Sequence, residues 1–71
     1  MPKILVPLAD GFEEIEAISI IDICRRGEID VIVAGVDRKI IMGAHHIPVT
    51  TDCMINEVTV DSLDMVVLPG G

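Results

Sequence analysis

The residues of this 71-residue chain with side chains or backbone suited to chemistry are few. They are the carboxylates Glu13, Glu14 and Glu16, the adjacent His45 and His46, the cysteines Cys24 and Cys53, and the pair Gly70-Gly71. Glu16 stands apart from the other carboxylates. Set out at roughly 100° per residue, the stretch after Gly11 lays Ile23, Glu16, Ile20, Cys24, Ala17, Ile21 and Ile18 along one arc. Glu14, Ser19, Asp22, Arg25 and Arg26 are expected on the other side. A carboxyl inside an apolar arc loses water and its pKa rises, so the protonated, hydrogen-bond-donating form becomes accessible near neutrality. The alternative is a carboxylate at the edge of the arc, reaching solvent. Gly70-Gly71 follows an apolar run, where glycine lets the backbone approach a ligand and aim N–H groups at a developing oxyanion. Turns also use paired glycines for shape alone.

The other candidates carry less. Adjacent histidines in an extended segment point to opposite faces, so His45 and His46 are expected in a solvated loop or hairpin, binding no metal. Cys24 falls on the apolar arc and should pack as a small hydrophobe; nothing near Cys53 would activate its thiol. A dinucleotide site is set aside, because Gly-x-Gly-x-x-Gly is missing and Glu13 and Glu14 stand where a pyrophosphate would sit. No cofactor is expected. No nucleophile with a positioned base is present, so the carboxyl and the glycines read as accessories to a nucleophile supplied elsewhere.

These residues must be positioned by an α/β scaffold. Lys3 to Leu8 is an apolar run of strand length, and helical spacing then continues to Arg26, with Gly27 as a stop. Asp10 is the expected helix cap, with Glu13 three residues on as in a capping box. Ile29 to Val36 is a second, β-branched strand, which completes a βαβ unit. Asp37 to Lys39 reads as a turn, and Ile40 to Met42 with Ile47 to Val49 as short strands of an excursion around Gly43. Asp52 could cap a brief helical turn carrying Ile55 and Val58. Met65 to Leu68 is expected as a third, buried core strand. In open parallel sheets ligands bind at the carboxyl ends of the strands. Two such ends carry the unusual residues: Ala9-Asp10-Gly11 leading to Glu16, and Pro69-Gly70-Gly71.

Composition bounds the reading. The chain is 51% hydrophobic with one aromatic residue and a mean hydropathy of +0.62, as in a parallel sheet covered on both faces. A self-sufficient domain of this size has little core to spare. The expectation is therefore that residues 1–71 are the N-terminal portion of one larger domain, with the remainder beyond Gly71. Twelve acidic against five basic residues give a net charge of −7, which argues against nucleic acid and against anionic membrane surfaces as partners. With no visible signal peptide, no run of membrane-spanning length and no metal-type cysteine spacing, a cytoplasmic protein is expected.

The segment from Lys3 through Ala17, with Ile21-Asp22, Arg25-Arg26-Gly27, Asp52 to Val58 and Asp64 to Gly71, resembles the opening of the ThiJ/PfpI family. The likeness is to the branch of the parkinsonism-associated deglycase. It covers essentially the whole chain, and Glu-Glu-x-Glu followed by Leu-Pro-Gly-Gly is fairly specific. The resemblance implies a flavodoxin-like three-layer sandwich with a parallel sheet, here a βαβ unit, a short hairpin and a third core strand, and it implies a homodimer. It implies that Glu16 is the carboxyl that hydrogen-bonds a reactive cysteine on an elbow beyond this chain, with Gly70 and Gly71 as backbone donors beside it. The activity implied is a cofactor-independent glyoxalase or deglycase acting on small reactive aldehydes or their adducts. The family also offers a redox-sensing or chaperone-like stress protein, and an intracellular peptidase.

Overall fold

In the computed structural model, which describes residues 2–70, the chain is laid around its first strand. In chain order the elements are β1 (Lys3–Leu8), α1 (Glu14–Arg26), β2 (Asp30–Gly35), β3 (Ile40–Met42), β4 (Pro48–Thr50), β5 (Cys53–Met54), 3-10 turns at Ile55–Glu57 and Val60–Ser62, and β6 (Met65–Val66). The four-stranded sheet has the order β5-β2-β1-β6, every pair parallel. Strands β3 and β4 form a separate antiparallel hairpin, Ile41 opposite Val49.

The α/β architecture with a parallel sheet is as expected, and the register explains a proline in its central strand. β1 pairs with β2 from Lys3 to Leu8, but with β6 only at Ile4 and Leu5. Pro7 therefore lies past the point where β6 makes demands on β1, and its missing N–H costs no ladder bond on that side. The core gathers Ile4, Val6 and Leu8 from β1, Val31 and Val33 from β2, Ala17 and Ile21 from α1, Phe12 from the loop before α1 and Ile41 from β3. Ile20, Cys24 and Val67 pack against it half-buried, which places Cys24 where a small hydrophobe was expected.

Several local expectations change. Helix α1 ends at Arg26 with Gly27 as its cap, but the N-cap is Glu13 and no side chain caps it. Asp10 is occupied elsewhere: Oδ1 accepts the Met42 N–H at 2.9 Å, and Oδ2 pairs with Arg38. Asp52 does not cap the 3-10 turn, whose N-cap is Met54. It reaches back across the sheet, where Oδ2 accepts from the Val33 N–H at 2.9 Å and from Arg25 at 3.1 Å. Cys53 lies in a short strand, β5. The segment expected as a buried third strand is an edge strand. Met65, Val66 and Leu68 are 57%, 51% and 75% exposed, because no further element pairs with β6 among the described residues. Among those residues, no helix is long and apolar enough to cross a membrane.

Candidate functional site

The carboxyl ends of β1 and β2, the loop to α1 and the segment after β6 meet at one edge of the sheet. Pro7, Ala9, Gly11 and Phe12 from β1 and the loop after it, Val36 after β2, and Leu68 and Pro69 after β6 line a cavity of about 340 Å³. It sits where the topology of a parallel sheet places ligand sites. Asp10 stands at its wall, held by Arg38.

Glu16 and Gly70 are brought together beside that cavity, although neither lines it. The Gly70 N–H donates to Glu16 Oε1 at 3.3 Å, and the Glu13 N–H donates to the Gly70 carbonyl at 2.7 Å. The first turn of α1 and the loop after β6 are thus tied by two bonds of opposite direction. Gly70 packs closely on Glu16: a Cβ there would stand 3.0 Å from both carboxylate oxygens, a contact that the exposed Glu16 side chain would have to shift by a few tenths of an ångström to relieve. Gly71 lies outside the described residues.

Glu16 is exposed, not enclosed within the apolar arc. Of the alternatives open on the sequence, the structure takes the carboxylate at the edge of the arc. The buried faces of α1 are those of Glu14, Ala17 and Ile21, while Ile15 and Ile23 are 76% and 68% exposed. Glu14 is therefore the carboxyl that lies in the apolar face, contrary to its expected place on the polar side. The spacing that would have found it is in the sequence: Glu14 precedes Ala17 by three residues and Ile21 by seven, the stripe that faces a core.

Glu14 is buried by the β3–β4 hairpin, which folds over the start of α1. The loop before the helix pairs with the hairpin like a strand: Gly11 N–H donates to Met42 O, and Ala44 N–H to Phe12 O, each at 2.8 Å. Gly43 rides directly on the Glu14 carboxylate, with no space for a Cβ between them. Glu14 Oε2 accepts the His45 N–H at 2.7 Å and the Ile47 N–H at 3.4 Å, while Oε1 meets the His45 ring Nδ1 at 2.8 Å. Burial pushes the Glu14 carboxyl up, but the His45 ring and the N–H groups of Glu14, His45 and Ile47 outweigh it and hold it at about 2. The hydrogen bond to Glu14, then its charge and that of Glu13, push the His45 imidazole up from its ordinary 6.5.

The histidines thus occupy a turn rather than an extended run, and His46 has a left-handed backbone at φ 63°. Glu13, Glu14 and His45 each bring one donor atom within 4.8 Å of the others. Both Glu14 oxygens accept hydrogen bonds, Oε2 from backbone N–H groups and Oε1 facing the His45 ring, so the carboxylate is an ion-pair partner with a backbone anchor.

The sequence profile of the DJ-1/PfpI family matches residues 2–71. The chain belongs to the DJ-1/PfpI family. Among curated proteins it is 39% identical over 71 residues to the DJ-1 homolog B of Arabidopsis thaliana, covering 99% of this chain and 16% of the plant protein. It is 39% identical over 69 residues to a deglycase of Thermococcus kodakarensis, covering 97% of this chain and 42% of the archaeal one. Among solved structures, oxidized Toxoplasma gondii DJ-1 superposes over 100% of this chain and 39% of its own, at a TM-score of 0.95 and 42% identity. Drosophila melanogaster DJ-1beta superposes with a TM-score of 0.93 and 38% identity, over 99% of this chain and 38% of its own. The flavodoxin-like fold of these DJ-1 proteins is the fold of this chain over the residues they share. The chain spans well under half the length of each of these relatives.

Proposed function

We propose that this chain is the N-terminal part of a cysteine-dependent glyoxalase or deglycase acting on small reactive aldehydes or their adducts. The observation that carries the reading is the meeting of Glu16 with the Gly70 backbone beside the cavity at the carboxyl edge of the sheet. The deglycase names of the archaeal DJ-1/PfpI relatives support it. The nucleophile is a cysteine that the rest of the domain supplies, beyond Gly71. Its thiolate attacks the aldehyde carbon, a C–S bond forms, and the carbonyl π electrons move to oxygen. Glu16, acting as general acid, gives a proton to that oxygen and leaves a hemithioacetal. The Gly70 N–H, and that of Gly71, stabilise the oxygen as it gains charge. No cofactor takes part. The remaining elements also cover Met65, Val66 and Leu68, so that the three-layer sandwich closes, and the completed protein works as a cytoplasmic homodimer.

A redox-sensing reading shares the same residues. A solved relative is an oxidized DJ-1, and a carboxyl beside a reactive cysteine can hydrogen-bond its sulfinic acid. Methylglyoxal turnover by the full-length protein and its Glu16→Gln variant separates the two. Turnover that falls by orders of magnitude in the variant supports the enzyme. A wild type without turnover, whose cysteine still oxidises selectively, supports the sensor.

A further inference from the structure

The β3–β4 hairpin is fastened to α1 by a group that can change charge near neutrality. We propose that His45 and Glu14 form a proton-operated latch, which holds the hairpin on the first turn of α1 while the imidazole is protonated and loosens it when the proton leaves. The inference goes beyond the enzymatic reading and does not depend on it.

The geometry divides the work between the two Glu14 oxygens. Oε2 is anchored by the backbone N–H groups of His45 and Ile47, so the carboxylate is fixed in direction before the ring is considered. Oε1 is left to face His45 Nδ1 at 2.8 Å. Glu14 is buried and His45 exposed, so the proton exchanges with solvent from the hairpin side only. From α1 the ring also faces Glu13, Nδ1 to Oε1 at 3.8 Å. From the loop before α1, Phe12 offers only its backbone carbonyl, to the Ala44 N–H. Asp10 and Arg38 pair with each other beside Met42. On the hairpin itself His46 has no acidic oxygen in ion-pair reach among the described residues. The charges that face His45 are therefore both negative, and both favour its cation.

Loss of the proton removes the imidazolium charge, so the bond to the Glu14 carboxylate loses its ion-pair character and the attraction to Glu13 goes with it. The two backbone bonds to Oε2 remain, so the hairpin loosens without detaching. What it loosens from is the turn that presents Glu16 to Gly70.

The test is an NMR titration of the full-length protein with its His45→Gln and His46→Gln variants. His45 and Ile47 amide exchange is read as protection factors, corrected for the intrinsic pH dependence of exchange. The ring proton of His45 should titrate above 6.5. The protection of the His45 and Ile47 amides should fall several-fold through that same transition. In His45→Gln the amides should show the lower protection at every pH, and His46→Gln should behave as wild type. A His45 titrating at or below its ordinary value overturns the latch. So does amide protection that ignores the transition, or one that His46→Gln abolishes.

Discussion

Substituting Gly43 by alanine tests the packing on which the hairpin's attachment rests. A Cβ built at Gly43 falls inside van der Waals contact of Glu14 Oε2, Cδ and Cγ together. One side must give way. If the carboxylate swings out, it leaves the N–H groups of His45 and Ile47, now bonded at 2.7 and 3.4 Å. If the hairpin lifts, it strains the Gly11–Met42 and Ala44–Phe12 bonds and opens Ile41, which is 1% exposed. Overpacking of a well-fitted site costs about 1–3 kcal/mol. A stranded buried N–H would add about 1–3 kcal/mol, but His45 and Ile47 are exposed and their freed N–H groups find water. The packing cost therefore sets the total, and Gly43→Ala should lose about 1–3 kcal/mol in urea unfolding of the full-length protein, at unchanged slope. The same variant should bring the His45 ring back toward 6.5, since Glu14 no longer faces it squarely. A loss below about 0.5 kcal/mol with an unmoved His45, at the level of an indifferent surface substitution, would refute the packing of Gly43 on Glu14.

Other outcomes follow from the same geometry. Ile41→Ala, which empties the hairpin's buried contact, should cost about 2–5 kcal/mol by urea unfolding. Glu16→Gln should leave the circular dichroism and unfolding midpoint in place, because glutamine has the same size and its carbonyl oxygen can still accept the Gly70 N–H, while aldehyde turnover falls about 10²–10⁴-fold in a coupled assay; near-normal turnover would confine Glu16 to structure. The hairpin's attachment should be strongest between two limits of pH. Glu14 is held at about 2 against an ordinary 4.5, so its contribution is complete above 4.5 and is lost as pH falls from there toward 2. His45 is raised above 6.5, so its contribution is complete below 6.5 and is lost as pH rises through the higher folded value. Stability of wild type against His45→Gln, followed across pH, should converge on the alkaline side. Finally, residues 1–71 expressed alone should show no cooperative monomeric melt, because Met65, Val66 and Leu68 leave an apolar sheet edge open to water. A sharp melt of a monomeric species would show that this core suffices.

The local signals settled most of the secondary structure. Alternating and β-branched runs marked β1, β2 and the hairpin strands, and Gly27 marked the end of α1. The residues of the DJ-1/PfpI pattern fixed the family and its sheet, and placed Glu16 and Gly70 at one edge, where the structure ties them together. What the sequence could not decide was which acid the fold would bury. The arc through Ile20 and Ile23 carries Glu16, the stripe of Ala17 and Ile21 carries Glu14, and hydropathy does not say which of the two a second segment will cover. That was decided by the hairpin, which joins the first turn of α1 from about thirty residues downstream and brings two backbone N–H groups to one carboxylate. Asp10 and Asp52 changed partners for the same reason, since each found a donor on a distant strand that outcompeted a local cap. A helix periodicity records what faces inward within its own element. Which polar group can be buried at all depends on donors that only the tertiary fold delivers.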